Sequence, residues 1–548
     1  MLTGQQPWWR GATIYQVYPR SFQDSNGDGV GDLPGILQRL DYIADLGVDA
    51  VWIAPFFKSP MADFGYDVAD PRAIDPLFGT LDDFDRLLAR AHQLGLKIII
   101  DQVLSHTSVE HAWFQESRQS RDNPKADWYV WADARADGSP PNNWLSIFGG
   151  SAWQWEPRRR QYYLHNFLSS QPDLNFHHDP VRQAVLDDLR FWLQRGVDGF
   201  RLDAINFCYH DAQLRDNPPK PEHLRTGRGF KPDNPYAFQY HHYNNTQPEN
   251  LAFLEAVRAL LDEYPGVTSL GEVSSEDSLS TMAEYTRPGR LHMVYSFELL
   301  TEDFSAAYIR QTIESLEAKL TDGWPCWAIS NHDVERVASR WGKNRHGPAL
   351  AKLLNTLLCS LRGSVCVYQG EELGLPEADV PFEAIQDPYG IAFWPSFKGR
   401  DGCRTPMPWD QSPHGGFSDA EPWLPCVSEH RGLAVVAQQT DTTSVLNSFR
   451  AMLAWRQSQP ALRWGDIRFL NVAEPVLAFV RGDQEHQLLA VFNLSEAALQ
   501  LELEGLPQGL MQMECPGAVN GHLHAALAEL PAYGVIYARV PPEQGAVD

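Results

Sequence analysis

Four acidic residues stand where strand-like segments of this chain run out: Asp101 in Asp101-Gln102-Val103, Asp203 in Gly199-Phe200-Arg201-Leu202-Asp203, Glu272 in Gly271-Glu272-Val273 and Asp333 in Asn331-His332-Asp333. A single acid in such a place is most often structural, because a buried charge needs a partner. Four of them on separate strand ends have no simple folding rationale. Acids gathered at one opening suit cleavage of a glycosidic bond: one carboxylate attacks or stabilises an oxocarbenium-like centre, and another, kept protonated, donates to the leaving oxygen. Two carboxyl groups divide these roles when their surroundings push their pKa values apart. The two-residue period of a strand puts Arg201 and Asp203 on one face, which gives Asp203 a positive partner. Glu272 has no adjacent cation in the sequence, which suits the proton donor.

The elements that must hold these acids alternate. Strand-like runs are expected at 12–18, 48–54, 97–103, 197–203, 267–273, 292–296, 325–330 and 364–369, with amphipathic helical patterns at 35–46, 81–94, 251–261, 304–320 and 348–361 between them. A further helix is expected behind Asp179 as N-cap and Pro180 as N1, ending at Gly196, and a last one over 442–459, stopped by Pro460. Eight strands alternating with helices predict an α/β protein, a TIM (β/α)8 barrel. Its two parts are expected at 1–101 and 173–460. Residues 102–172 lose periodicity and are too long for an ordinary loop, so they read as an inserted subdomain after the third strand. A second irregular stretch, 209–250, reads as a lid. Alternating runs at 476–482, 487–494 and 534–540, with no helices between, predict a C-terminal antiparallel β-domain over 461–548.

Composition narrows the partners. The formal net charge of −25 in 548 residues repels phosphate polyanions, which opposes nucleic acid and anionic membranes but leaves a neutral sugar unaffected. Seven scattered cysteines without CxxC spacing suggest neither a disulfide framework nor a zinc site. No signal-like N-terminus and no run of about 18 apolar residues is present, so the expectation is a cytoplasmic protein without a membrane partner. Oligomeric state is not legible. In Asp24-Ser25-Asn26-Gly27-Asp28-Gly29-Val30-Gly31-Asp32, oxygen donors recur at alternate positions, as a hard cation such as Ca²⁺ or Mg²⁺ requires. The loop is not an EF-hand, since Gly35 stands where the bidentate Glu would be, and Asx turns without metal are the competing account.

The acidic motifs together resemble the signature regions of the α-amylase-type glycoside hydrolases, family 13, over nearly the whole chain. Gln171-Pro172-Asp173-Leu174-Asn175 is similar to the region that marks the oligo-1,6-glucosidase and α-glucosidase branch, with supporting matches in Asp63-Phe64-Gly65-Tyr66-Asp67, Gly370-Glu371-Glu372 and 400–409. The resemblance implies a retaining mechanism with Asp203 as nucleophile, Glu272 as acid/base and Asp333 as transition-state stabiliser. It implies a glucose pocket lined by Asp63, Tyr66, His106, Phe148, Phe167, Gln171, Arg201, His332 and Arg400, no organic cofactor, and a structural Ca²⁺ or Mg²⁺ held by Asp24, Asn26, Asp28, the Val30 carbonyl and Asp32. The implied substrate is a short α-glucosidic oligosaccharide such as maltose, attacked from its end, with glucosyl transfer to acceptors as a further activity. A disaccharide isomerase of the same family and a catalytically silent sugar-binding protein are the rivals. Two positions depart from the pattern: Ser105 stands where the first region usually has Asn, and Ala204 where enzymes preferring α-1,6 bonds often carry Val, which by analogy favours α-1,4 substrates.

Overall fold

The computed structural model describes residues 6–225, 230, 233–345, 347–483, 485–504, 506 and 509–541. The ends of the first and last expected domains (1–5 and 542–548) and residues 226–229, 231 and 232 of the expected lid lie outside the described residues. Eight strands, β1 (Thr13–Val17), β2 (Ala50–Ile53), β3 (Lys97–Val103), β4 (Gly199–Asp203), β5 (Thr268–Val273), β6 (Met293–Ser296), β7 (Trp324–Ala328) and β8 (Ser364–Tyr368), close into a barrel in sequence order. Every neighbouring pair is parallel.

The two faces of each strand divide the work. Outward residues such as Val51, Ile53, Ile98, Ile100, Phe200, Leu202, Val365 and Val367 pack with the surrounding helices in one large cluster, each fully buried aliphatic contributing about 1.5–3 kcal/mol. Inward residues Ile14, Trp52, Ile99, Leu270, Met293, Cys326 and Cys366 fill the barrel as a second, separate cluster. Arg201 and Asp203 interrupt β4 on this inward side, and Asp101, Glu272 and Tyr295 follow Ile99, Leu270 and Met293 at the same two-residue spacing. The alternation therefore delivers polar groups to the C-terminal end of the barrel, where such folds place their chemistry.

Helix α1 (Leu33–Leu46) is capped by Asp32, whose side chain accepts from Gly35 N at 2.6 Å. Helix α2 (Leu81–Gln93) starts in a reciprocal capping box of Thr80 and Asp83. Helix α3 (Asp179–Arg195) corrects one expectation. Its N-cap is His178, without a side-chain bond, and Asp179 lies inside the first turn as an ion-pair partner of Arg182. The expected stop holds, with Gly196 in the left-handed conformation at φ 96°. The last expected helix is shorter than 442–459, because Ser444 caps it at Val445, and Pro460 opens a further turn, Pro460–Trp464, instead of ending the fold's helices. Proline is well suited to a first helical turn, so it started an element here.

Within 102–172 the chain forms a three-stranded antiparallel sheet, Trp131–Ala132, Gln161–Leu164 and Trp153–Glu156. Strands of two to four residues are too short to leave a periodic signal. The C-terminal region is richer than three strands. A five-stranded antiparallel sheet adds Asp466–Phe469 and Met511–Met513 to Val476–Gly482, Gln487–Asn493 and Val535–Val540, and Leu499–Glu502, Leu527–Leu530 and His522–His524 form a second sheet. No described helix is long and apolar enough to cross a membrane.

Candidate active site

At the C-terminal end of the barrel a pocket of about 770 Å³, counted with its open mouth, is lined by Asp203, Glu272 and Asp333. Of the residues singled out for substrate, Asp63, Tyr66, His106, Phe148, Phe167, Gln171 and Arg400 line it as well. Arg201 and His332 do not. They lie just behind the wall, both at most 1% exposed, and act through the side chains in front of them. Asp101 is also behind the pocket, so three of the four strand-end acids reach the opening.

Arg201 is the hub. Its Nη1 donates to Asp203 Oδ1 at 2.6 Å and to both oxygens of Asp101 at 2.9 and 3.1 Å, while Nη2 donates to Glu272 and to the Tyr295 hydroxyl at 2.9 Å. Asp101 is in turn held by Trp52 Nε1 at 3.0 Å and the Tyr66 hydroxyl at 3.1 Å. Burial pushes Asp101 up to about 7, against the pull of Arg201. Burial also carries Glu272 well above the ordinary carboxylate range; Arg201 opposes the shift, and the neighbouring acids, Asp203 foremost, add to it. Glu272 is thus a carboxyl shifted toward its protonated form.

Asp333 is treated in the opposite way. Burial would raise it, but His332, Arg400, Arg404 and Arg201 outweigh burial and hold the carboxyl well below its usual range. Burial and the surrounding arginines lower His332 to about 3 even with Asp333 beside it, so the lasting cations are Arg400 and Arg404, 3.3 and 3.1 Å from Asp333 Oδ1. Two carboxyls in one pocket, one shifted toward its protonated form and one held ionised, suit acid-assisted cleavage through a cationic transition state.

The far wall is an ion network. Arg400 Nη2 reaches Asp63 Oδ1 and Asp387 Oδ1, each at 2.8 Å, and its Nε reaches Asp387 Oδ2 at 3.0 Å. Gln171 Nε2 donates to Asp63 Oδ2 at 3.0 Å. His106 shows what the Ser105 departure does. Ser105 Oγ lies 2.9 Å from Nδ1, and Nε2 lies 3.0 Å from the Tyr66 carbonyl. With the serine donating, the ring carries its proton on Nε2 and stays neutral, as burial also favours. Ala204, directly after Asp203, sits at φ 41° and ψ 43°. Non-glycine residues rarely take this left-handed conformation, and they concentrate at functional sites when they do. It turns the Ala204 N–H toward Glu272 Oε2, 3.3 Å away.

Sequence reasoning missed Ile147, Phe207, Phe230, Ser274, Phe297 and Tyr389, which complete the pocket lining, and Asp387, which the arginine at 400 pairs with. Phe230 and Tyr389 come from segments with no motif or period, whereas Phe207, Ser274 and Phe297 follow the ends of β4, β5 and β6 and Ile147 precedes Phe148, so their place after a strand or beside a motif was the signal available. The expected cation loop lies away from the pocket. Asp24 accepts from the backbone N–H groups of Asn26, Gly27 and Gly29 at 2.8–3.0 Å and from Ser418 Oγ at 2.5 Å. Asn26 accepts from Asp28 N, Asp28 from Val30 N, and Asp32 from Ser25. The all-oxygen donor set suits a hard cation, yet among the described residues no three acids, histidines or cysteines converge to share one. As folded, the loop is closed by Asx turns.

The α-amylase catalytic-domain model matches residues 16–465. The chain belongs to the α-amylase family of glycoside hydrolases. Within this family it is 54% identical over 545 residues, 98% of each chain, to a probable α-glucosidase of Rhizobium meliloti (strain 1021). It is 37% identical to the oligo-1,6-glucosidase of Heyndrickxia coagulans, over 90% of this chain and 93% of that one. A crystal structure of an α-glucosyl transfer enzyme, XgtA, superposes with a TM-score of 0.97 at 66% identity, covering 98% of this chain and 100% of the other. The α-amylase family member described here is an enzyme of the α-glucosidase branch, and the silent sugar-binding alternative falls.

Proposed function

We propose that the enzyme is a retaining, exo-acting α-glucosidase that removes terminal α-glucose from short oligosaccharides such as maltose. The observation that carries this reading is the sharing of the Arg201 guanidinium by Asp203 and Glu272 at the pocket wall. A carboxylate Oδ of Asp203 attacks the anomeric carbon as that carbon's bond to the glycosidic oxygen breaks, and Glu272 gives its proton to the departing oxygen. Water then gives a proton back to Glu272 and adds to the same carbon, releasing Asp203; two inversions leave the α configuration. Asp333 stabilises the positive charge that develops on the sugar in the transition state of each step. The Asp63–Arg400–Asp387 network supplies hydrogen bonds for the hydroxyls of one terminal glucose and accounts for exo action.

Preference for α-1,4 bonds is part of the reading, supported by the small Ala204 beside the nucleophile. So is glucosyl transfer, supported by the likeness to the α-glucosyl transfer enzyme XgtA. Seven unpaired cysteines suit a reducing, cytoplasmic setting. The test is a time-resolved anomer and product analysis on maltose, isomaltose, sucrose and trehalose, with and without an alcohol acceptor. Release of α-glucose first, fastest from maltose, together with an α-glucoside of the alcohol is expected. First-formed β-glucose sinks the retaining assignment, and a disaccharide isomer as chief product replaces hydrolysis with isomerisation.

A structural Ca²⁺ or Mg²⁺ in the Asp24–Asp32 loop belongs to the same proposal, on the strength of its oxygen donors alone. Chelator-treated protein is expected to melt at lower temperature and to regain its Tm on adding the cation, with unchanged kcat at low temperature. An identical Tm in chelator and in excess cation removes the metal.

A further inference from the structure

The polar residues of the pocket account for the hydroxyls of one glucose, but its apolar lining has no such part to play. Ile147 and Tyr389 belong to this apolar lining, and they come from segments about 240 residues apart. One side chain outside the pocket joins them. Asn234 is fully buried; its Nδ2 donates to the Ile147 carbonyl and to the Tyr389 hydroxyl, both at 2.8 Å. Its Oδ1 accepts from Tyr236 N at 3.0 Å, which caps the turn Pro235–Phe238. Both amide hydrogens and the oxygen are therefore used, and three separate stretches of chain meet on one short amide. Asparagine alone among side chains of this length offers two donors on one atom beside an acceptor. Tyr389 is held from its other end too, because Asp387, the Arg400 partner, accepts from Tyr389 N at 3.2 Å. Its ring meets the edge of Phe148 with centroids 5.3 Å apart.

We propose that Asn234 is a positioning residue for a second subsite, in which Tyr389 and Ile147 receive the apolar face of the unit that leaves with the glycosidic oxygen. The inference rests on the proposed α-glucosidase reading. Asn234 touches no reacting atom; it sets the separation of two walls that belong to different segments. The ligand class is a second pyranose, or an acceptor presenting a comparable apolar face on the return path.

The experiment compares maltose, which fills the second subsite, with α-glucosyl fluoride, which has no second unit, in the full-length enzyme. Asn234→Ala is expected to lower kcat/KM on maltose about tenfold, the scale of one lost pocket contact, while the fluoride stays within about threefold of wild type. Asn234→Asp keeps the acceptor for Tyr236 N but loses both Nδ2 donors and sets a carboxylate oxygen against the Ile147 carbonyl, so a maltose-selective loss at least as large as that of Asn234→Ala is expected. Tyr389→Phe removes one hydroxyl from an intact ring and is expected to show a smaller maltose-selective loss, which decides the matter where Asn234→Ala fails to fold. Equal losses on both substrates, or none on either, in Tyr389→Phe and the Asn234 variants overturn the proposal. Wild-type enzyme that turns over neither substrate sinks the α-glucosidase reading, and this inference with it.

Discussion

Asp203→Asn is expected to lower kcat/KM on maltose by about four orders of magnitude or more, the scale on which removal of a nucleophile acts. The replacement keeps size and one acceptor for Arg201, so the fold and the far-wall network are retained and KM changes little. Glu272→Gln is expected to match that loss on maltose, whose leaving oxygen needs a proton, and to lose much less on α-glucosyl fluoride, whose leaving group does not. The sign of the pH effect follows from burial. Glu272 is held above its ordinary range, works protonated in the first step, and is lost for that step as pH rises through the raised value. The basic limb of kcat/KM on maltose therefore belongs to Glu272 and disappears in Glu272→Gln. Near-wild-type maltose turnover in either variant ends the assignment.

Arg201→Met is expected to cost about 3–5 kcal/mol of stability, as removal of one partner from a buried ion pair does, and at least about a hundredfold in kcat. The guanidinium is fully buried and binds Asp101, Asp203 and Glu272 at once. Without it the three acids lose the cation they share, and their mutual repulsion raises their affinity for protons. Urea unfolding of Arg201→Met beside Arg201→Met with Asp101→Asn separates the contributions. The double variant is expected to recover part of the stability, because Asp101 is the acid that never reaches the pocket, and to recover none of the activity. Full activity in Arg201→Met would show that the hub is dispensable.

Both expectations turn on a division that period-two geometry on one strand already indicated. Arg201 and Asp203 share a face because they are two residues apart, and apolar runs placed the third strand at 97–103, as observed, and the eighth at 364–369, one residue past its observed end at Tyr368. Short elements were another matter. The three strands inside 102–172 and Met511–Met513 are two to four residues long, and it is pairing with partners, not pattern, that makes them strands. The cap of α3 moved by one residue for a similar reason, since Asp179 found Arg182 one turn on instead of a backbone N–H.

Taken alone, the chain determined the eight-stranded barrel, the acids at its strand ends and the family they mark, because periodicity and motif spacing are local properties. Tertiary structure decided which acids face the opening. Asp101 and Glu272 stand alike in sequence, at the ends of the third and fifth runs, yet Asp101 is packed under Trp52 and Tyr66 while Glu272 lines the pocket. It also decided the opposite pKa shifts of Glu272 and Asp333, which depend on how deeply each is buried and on how many guanidinium groups reach it. Neither quantity is written in a residue's neighbours along the chain. The apolar lining around Tyr389 and its tie to Asn234 belong to the same class, since only folding brings residues 147, 234 and 389 to one amide.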